Sequence, residues 1–315
     1  MIVTLTPNPS VDRALDIDAL EVGGVNRAHA THVDAGGKGI NVSRALVAQG
    51  LDTVAVLPVG GRDGDLLVRL LADQRVATRP VQVGGDTRTN ITLVEQTGAT
   101  TKVNAPGPTL VPAEVDALLV AVEELLAAGP TLLVAAGSLP ADAGDDFFGR
   151  LAGLAERHRV PLALDTSGTP LVRAVRRGGL HVIKPNEDEL GELVGRTLLT
   201  VGDAVEAALD VIAMGTASVL VSLGQHGALL VTADRTWWAS GPPLVPASTV
   251  GAGDTTLAGF LGATGEPAHR LATAVAWGRA AVLLPGTAVP TPDLVDLAAV
   301  QVVAEPDPTF ALKEL

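Results

Sequence analysis

Short runs of Val, Leu, Ile and Ala alternate along this chain with longer stretches of helical periodicity. Residues 53–59, 131–136, 161–165, 181–184 and 218–223 read as strands, and 39–49, 112–127, 145–158, 186–194 and 203–214 as helices. Strands that are apolar throughout and separated by helices indicate a parallel sheet buried on both faces. Composition narrows this further. Aromatic residues make up 2% of the 315 positions and there is no tyrosine, so the core must be aliphatic. That suits a helix-covered sheet better than an aromatic-rich sandwich. Right-handed crossovers then bring the loops that follow the strands to one carboxyl edge, where open α/β sheets bind ligands.

The expected architecture is α/β, with a mostly parallel central sheet in one domain spanning 1–315. Two stretches, approximately 11–33 and 88–103, break the rhythm. They alternate like strands and have no matching helices, so we expect a small sheet projecting from the main body as a lid. The Pro/Gly clusters at 105–108 and 241–246 read as turns. The tail, 304–315, is expected to be partly loose.

The net charge of −13 argues against nonspecific nucleic-acid binding, although a local cationic pocket can still form in a negative protein. The absence of cysteine removes disulfides, thiolate catalysis and Cys-ligated zinc. Met1-Ile2-Val3-Thr4-Leu5 reads as a first strand, not as a leader. No uncharged run reaches membrane-spanning length. A cytoplasmic protein acting on small molecules is expected, with no nucleic-acid or membrane partner.

Five clusters can carry chemistry. In Ser248-Thr249-Val250-Gly251-Ala252-Gly253-Asp254, two glycines flank one small residue where a helix begins. Backbone amides there can form an anion cradle, with Asp254 on its rim as a base. The same residues also suit a simple helix N-cap. Gly36-Gly37-Lys38-Gly39-Ile40-Asn41 offers close backbone approach, a cation and an amide, or a plain glycine turn. It lacks Walker A spacing, and neither cluster completes a dinucleotide-binding glycine fingerprint. In Asn8-Pro9-Ser10-Val11-Asp12-Arg13, Asp12 can accept from sugar hydroxyls or cap a turn. Asn186 and Glu189, in Lys184-Pro185-Asn186-Glu187-Asp188-Glu189, are three apart. That spacing suits oxygen donors to Mg²⁺ through water, and equally a capping box. Ser222-Leu223-Gly224-Gln225-His226-Gly227 is a glycine turn between two strands that can admit phosphates or simply close a hairpin.

In this order the clusters resemble the ribokinase-like (PfkB) sugar kinases. Arg88-Thr89-Asn90, Asn104-Ala105-Pro106-Gly107-Pro108 and Gly137-Ser138-Leu139-Pro140 add to the resemblance, which runs from about residue 2 to 292. It is strongest to the 1-phosphofructokinase group. The resemblance implies a three-layer α/β/α ribokinase-like fold and ATP- and Mg²⁺-dependent phosphorylation of D-fructose 1-phosphate at its C6 hydroxyl. Tagatose 6-phosphate and fructose 6-phosphate are the alternative acceptors. A sugar-phosphate-binding regulator without catalysis is the alternative of another class.

The same resemblance assigns residues. Asp254 is implied as catalytic base, and the Gly251, Ala252 and Gly253 amides as the anion hole. Asp12, Arg27, Gly37, Lys38, Asn41, Arg88, Asn90 and Ser138 are implied to hold the sugar phosphate. Lys184, Asn186, Ser222, Gly224, Gly227, Thr249, Gly251 and Gly253 are implied to line the nucleotide. Asn186 and Glu189 are implied to place Mg²⁺. Pairing of two copies through the lid is also implied. Thr255 and Thr256 stand where relatives often carry Ser and an apolar residue. Trp277 and Arg279 fall in a stretch that is small near the adenine in relatives, which bears on nucleotide preference. Ser248 replaces an acid found near a monovalent cation in ribokinases, so no K⁺ requirement is expected.

Overall fold

The computed structural model describes residues 1–144 and 146–312. The chain opens with β1 (Ile2–Leu5), the hairpin β2 (Ser10–Ile17) and β3 (Ala30–Gly36), then α1 (Lys38–Ala48), β4 (Thr53–Val59) and α2 (Gly61–Asp73). β5 (Ala77–Gln82), β6 (Arg88–Glu95) and β7 (Thr100–Asn104) follow. A regular alternation comes next: α3 (Pro112–Leu126), β8 (Leu132–Ala136), α4 (Phe147–His158), β9 (Leu162–Asp165), α5 (Gly168–Arg177), β10 (Leu180–Ile183), α6 (Glu187–Val194), α7 (Val201–Ala213) and β11 (Thr216–Ser222). The chain ends with β12 (Ala228–Thr232), β13 (Thr236–Ser240), α8 (Ala252–Gly262), α9 (Pro267–Val282) and β14 (Gln301–Ala304).

Among the described residues these strands form a ten-stranded sheet, β14-β13-β12-β11-β10-β9-β8-β1-β4-β5, and a separate four-stranded sheet, β3-β2-β6-β7. β11 through β5 run parallel, and β12, β13 and β14 add an antiparallel edge. Successive side chains of a strand point to opposite faces, and the two faces bury different partners. Val3, Leu5, Leu133, Ala135, Leu162, Leu164, Val219 and Val221 pack with residues of α3 to α7. Ile2, Leu132, Val134, Ala163 and Leu220 pack with α1, α8 and α9. This is the expected three-layer α/β/α arrangement. Each fully buried Leu or Val contributes roughly 1.5–3 kcal/mol, so aliphatic side chains suffice for the core. No described helix is long and apolar enough to cross a membrane.

The expected strands and helices are present, with ends shifted by at most two residues. The helix read over 145–158 runs from Phe147, and Asp145 lies outside the described residues. α2, α5, α9, β5, β13 and β14 went unread, whereas β12 is the strand expected after the Ser222–Gly227 turn, and it closes a hairpin with β11. β5 carries Thr78, Arg79 and Pro80 at its centre, which breaks strand periodicity; it sits at the sheet edge, where proline is tolerated. The expectation of a loose tail is corrected. β14 pairs with β13, Val201 N donates to Phe310 O (2.9 Å), and Leu312 N donates to Leu199 O (2.9 Å) with its side chain buried. Backbone bonding anchors this tail through Leu312 despite its weak pattern. Residues 313–315 lie outside the description.

The small sheet matches the two stretches that broke the rhythm. It is moored to α2 through one carboxylate. Asp63 accepts from Arg13 of β2 (3.1 Å) and from Thr89 of β6 (2.7 Å). Val11 and Ala35 bury beside Ile40, Leu67 and Leu71 at the same junction. Replacing Asp63 with Ala removes both polar ties and leaves this apolar seam intact. The Arg13 pair is about one-third exposed and contributes little by itself. We therefore expect a small loss of global stability, about 1–2 kcal/mol, with amide exchange accelerated selectively in β2 and β6. Uniform acceleration across both sheets would show that Asp63 serves general stability instead.

Candidate active site

Parallel strands end together, and that edge collects the polar residues. Asp165 closes β9 and is completely buried at 1% exposure. Lys184 follows β10 immediately. Lys38 opens α1, which Gly37 caps from a backbone with φ +129°. Lys38 Nζ donates to Asp165 Oδ1 at 2.9 Å. Lys184 Nζ stands 3.2 Å from Oδ2 as an ion pair, off the line of a hydrogen bond. Burial pushes the Asp165 carboxyl up, but the charges of Lys184 and Lys38 outweigh it and hold it below the ordinary range. Burial likewise works against the Lys38 ammonium. The charge and hydrogen bond of Asp165, with Asp254 and Glu189 behind them, raise it to about 12. The Lys38 side chain remains 39% exposed, so this permanent cation can still meet a ligand.

Asp254 faces this group from α8. Gly251 caps α8 in the left-handed region, φ +77°, where a side chain would be strained. Asp254 is third in the helix, and the first i→i−4 bond is Thr255 N to Gly251 O. The amides ahead of it carry the positive end of the helix dipole. Ala252 N makes a long contact with Thr249 O (3.5 Å). A Cβ on Gly253 would stand 3.4 Å from Lys184 Nζ, so the ammonium lies against the glycine turn. Asn41 Nδ2 donates to Asp254 Oδ2 at 2.8 Å. Burial, and then the charge of Asp165, raise the Asp254 carboxyl to about 6, against the bond from Asn41 and the charges of Lys38 and Lys184. A base poised there can take a proton near neutral pH. Asp254 therefore both fills a helix start and carries a carboxyl raised toward neutrality.

The residues assigned to the sugar end fall into three groups. Asp12 Oδ1 accepts from Ser10 Oγ (2.7 Å) and Asn90 Nδ2 (2.9 Å) across β2 and β6. Ser138 Oγ accepts from Asn8 Nδ2 (3.3 Å). Arg88 gives Nε and Nη2 to Asn8 O (3.3 and 3.1 Å) and Nη1 to Ala105 O (3.0 Å). Burial lowers the affinity of Arg88 for its proton, with Asp12 opposing. Three of its five N–H donors are thus used on backbone. Lys38 and Asn41 belong to the acid-lysine group. Arg27 is not brought in. It lies exposed in the β2–β3 connection.

Among the residues the resemblance assigns to the nucleotide, Asn186 and Ser222 pair as a parallel bridge, placing the two loops side by side. Gly224–His226 form a 3₁₀ turn ending at Gly227, and Trp238 Nε1 pins it by donating to His226 O (2.8 Å). Asn186 and Glu189 close a capping box: Glu189 N donates to Asn186 Oδ1 (2.7 Å) and Asn186 N to Glu189 Oε2 (2.9 Å). Asn186 thus caps α6 from outside the helix. Trp277 is core, packed over Gly259 and Gly262 of α8, and Arg279 Nη2 donates to Pro242 O (2.6 Å). The sequence offered no warning of Asp165, beyond an acid ending an otherwise apolar strand.

The raised Asp254 carboxyl has a signed consequence for stability. A proton bound more tightly in the folded chain contributes stability that is full below the unfolded pKa, 3.8, and is lost as pH rises through about 6. Asp254→Asn removes that loss. The variant is expected to be more stable than the parent at pH 7.5, by up to about 3 kcal/mol, with the difference vanishing below about pH 4. Urea unfolding at both pH values checks it. A variant destabilised at pH 7.5 would show that Asp254 holds α8 together.

Comparison with known proteins identifies the family. The model of the pfkB family of carbohydrate kinases matches residues 5–294. The chain is 37% identical over 283 residues to 1-phosphofructokinase of Rhodobacter capsulatus, covering 88% of this chain and 89% of that one. It is 37% identical over 296 residues to ATP-dependent 6-phosphofructokinase isozyme 2 of Mycobacterium tuberculosis, covering 91% and 85%. Its fold matches the tetrameric inhibited form of phosphofructokinase-2 from Escherichia coli with TM-score 0.85 and 33% identity, over 91% of this chain and 95% of that one. With the family model matched over residues 5–294 and a relative 37% identical over most of both chains, the chain belongs to the pfkB family of carbohydrate kinases.

Proposed function

We propose that this chain transfers the γ-phosphoryl group of ATP to the C6 hydroxyl of D-fructose 1-phosphate, giving fructose 1,6-bisphosphate and ADP. The observation that carries the reading is Asp254. It is buried at the start of α8, bonded through one oxygen to Asn41, and holds its proton with a pKa of about 6. Its other oxygen is left to accept the hydroxyl proton as the oxygen attacks phosphorus in line. The α8 amides, Lys38 and Lys184 offset the charge spreading over the transferring group. Asp12, Asn90 and Ser138 orient the sugar hydroxyls. Ser222, Gly224, Gly227 and Thr249 border the nucleotide.

A phosphorylated acceptor fits the cations. Lys38 keeps its charge and its exposure, and Arg88 retains two N–H donors beyond those on Asn8 and Ala105. Relatives named for either fructose phosphate have similar identity, so the choice of fructose 1-phosphate rests on Lys38 within Gly-Gly-Lys-Gly. Side-by-side kcat/KM values for fructose 1-phosphate, fructose 6-phosphate, tagatose 6-phosphate and free fructose test it. A win for another phosphate changes only the acceptor; a win for free fructose overturns the cationic pocket. Asp254→Asn should lower kcat by roughly 10²–10⁴, the range of a positioned base, with fructose 1-phosphate still bound. Near-parental turnover would remove Asp254 from the role.

The donor set suits hydrated Mg²⁺. Asn186 Oδ1 and Glu189 Oε2 already serve the capping box, which leaves Glu189 Oε1 to hold a metal-bound water. No group of three metal-binding side chains exists among the described residues, and Mg²⁺ characteristically keeps several waters. When bound, the ion neutralises phosphate charge. Glu189→Gln can keep the capping box and lose the charge. We expect unchanged melting and a several-fold higher Mg²⁺ requirement, about 1 kcal/mol or more for a lost charged contact, with little change in sugar KM. An unchanged Mg²⁺ requirement would assign Glu189 to capping alone. Ile91 and Val103 lie paired and exposed on the small sheet, which supports association of two copies through it.

A further inference from the structure

One buried cation has no place in the chemistry described so far. Arg44 lies on α1 with only 7% of its surface exposed. Its Nη1 is directed at three acceptors: Thr287 Oγ1 at 3.2 Å, Asn41 Oδ1 at 3.4 Å and Ala35 O at 3.5 Å. Its Nε has no hydrogen-bond partner. Burial lowers its hold on the proton, and Asp34 of β3 and Asp12 of β2 oppose this. A buried guanidinium is costly unless its environment uses it.

The environment uses it through Asn41. The amide of Asn41 bridges two groups of opposite character. On one side stands Asp254, which when ionised can only accept; on the other stands Arg44, which can only donate. Only one amide orientation satisfies both, with Nδ2 toward Asp254 (2.8 Å) and Oδ1 toward Arg44 (3.4 Å). Flipping the amide would put two acceptors together at one end and two donors at the other. Thr287 holds the guanidinium from the segment after α9, and lies beside the glycine turn, where a Cβ on Gly251 would stand 4.0 Å from Thr287 Cβ.

We infer that Arg44 is a positioning residue for phosphoryl transfer. It locks the Asn41 amide so that Asp254 Oδ2 stays bonded and the other carboxylate oxygen is presented to the acceptor hydroxyl. The inference rests on Asp254 being the base. It predicts a defined chemical signature. Asp165 of β9, Lys38 of α1 and Lys184 after β10 are the charged groups facing Asp254, and Arg44→Leu alters none of them. What it weakens is the bond from Asn41, which favours the ionised form.

The experiment compares the parent, Arg44→Leu and Arg44→Gln, each alone and combined with Asn41→Ala. In Arg44→Leu, kcat should fall about 10- to 100-fold, the scale on which groups orienting an active residue act. KM for fructose 1-phosphate and ATP should stay within a few-fold. The acid limb of the kcat/KM profile, which reports the free enzyme, should move up by about 0.5–1 pH unit, the weakening of one hydrogen bond to the carboxylate expressed as proton affinity. The ¹³C carboxyl titration of Asp254 in the protein without substrates should move by the same amount. Arg44→Gln, which can still donate, should recover much of both. In the Asn41→Ala background, Arg44→Leu should have no further effect on either readout.

An acid limb and carboxyl titration unchanged in folded Arg44→Leu would overturn the inference, as would additive losses with Asn41→Ala. If Arg44→Leu does not fold, Arg44→Gln and Thr287→Val carry the test. The expected result for Thr287→Val is a smaller shift in the same direction, and none would count against it. Failure of the underlying reading looks different: Asp254→Asn would itself remain active.

Discussion

The ion cluster around Asp165 constrains everything near it. A carboxylate taken out of water costs several kcal/mol unless charge and hydrogen bonds replace the solvent. Here two ammonium groups replace it, Lys38 at 2.9 Å and Lys184 at 3.2 Å. One comes from the start of a helix and the other from the end of a strand, so the two elements must meet at a fixed point. Asp254, the second buried acid, then lies within reach of the same charges. It is less well compensated. The difference between the two carboxylates, one held low and one raised to about 6, follows from that unequal pairing.

The parallel sheet makes such a cluster affordable. Strands that run the same way end at the same edge, so β1, β8, β9 and β10 deliver Asn8, Ser138, Asp165 and Lys184 side by side. α1 and α8 point their N-termini at that edge and add amides and positive dipole ends. The aliphatic core does the stabilising, which leaves the edge free to hold groups that do not stabilise it. The raised carboxyl of Asp254 is one of these. Ionising it at neutral pH costs the folded chain stability, because burial and the charge of Asp165 oppose its negative charge.

Tertiary geometry also separates residues that looked alike in sequence. Lys38 and Arg88 both read as cations for a phosphate. Lys38 holds an acid and keeps an open side, whereas Arg88 uses three donors to tie the segments at Asn8 and Ala105. Trp277 falls in a stretch that is small near the adenine in relatives, and here it packs in the core against Gly259 and Gly262 of α8. Arg27 read with the sugar end and lies exposed in the β2–β3 connection.

By itself the sequence determined what depends on neighbours along the chain. Apolar runs set the strands and their two buried faces. Gly37 and Gly251 set the helix starts, and Asn186 with Glu189 sets a capping box, since residues three apart meet in the first turn of a helix. The ends of elements moved by a residue or more because caps compete with backbone bonds locally. β5 escaped because its polar centre hides a strand that only its neighbour makes regular. What tertiary structure alone decided are pairs far apart in the chain. Lys38 and Asp165 are separated by 127 residues, and Asn41 and Asp254 by 213. Proton affinity at such a site depends on burial and on charges carried in by other elements. No local pattern records those, so the glycine turns marked where the polar groups gather, and packing set the ionisation of the acids among them.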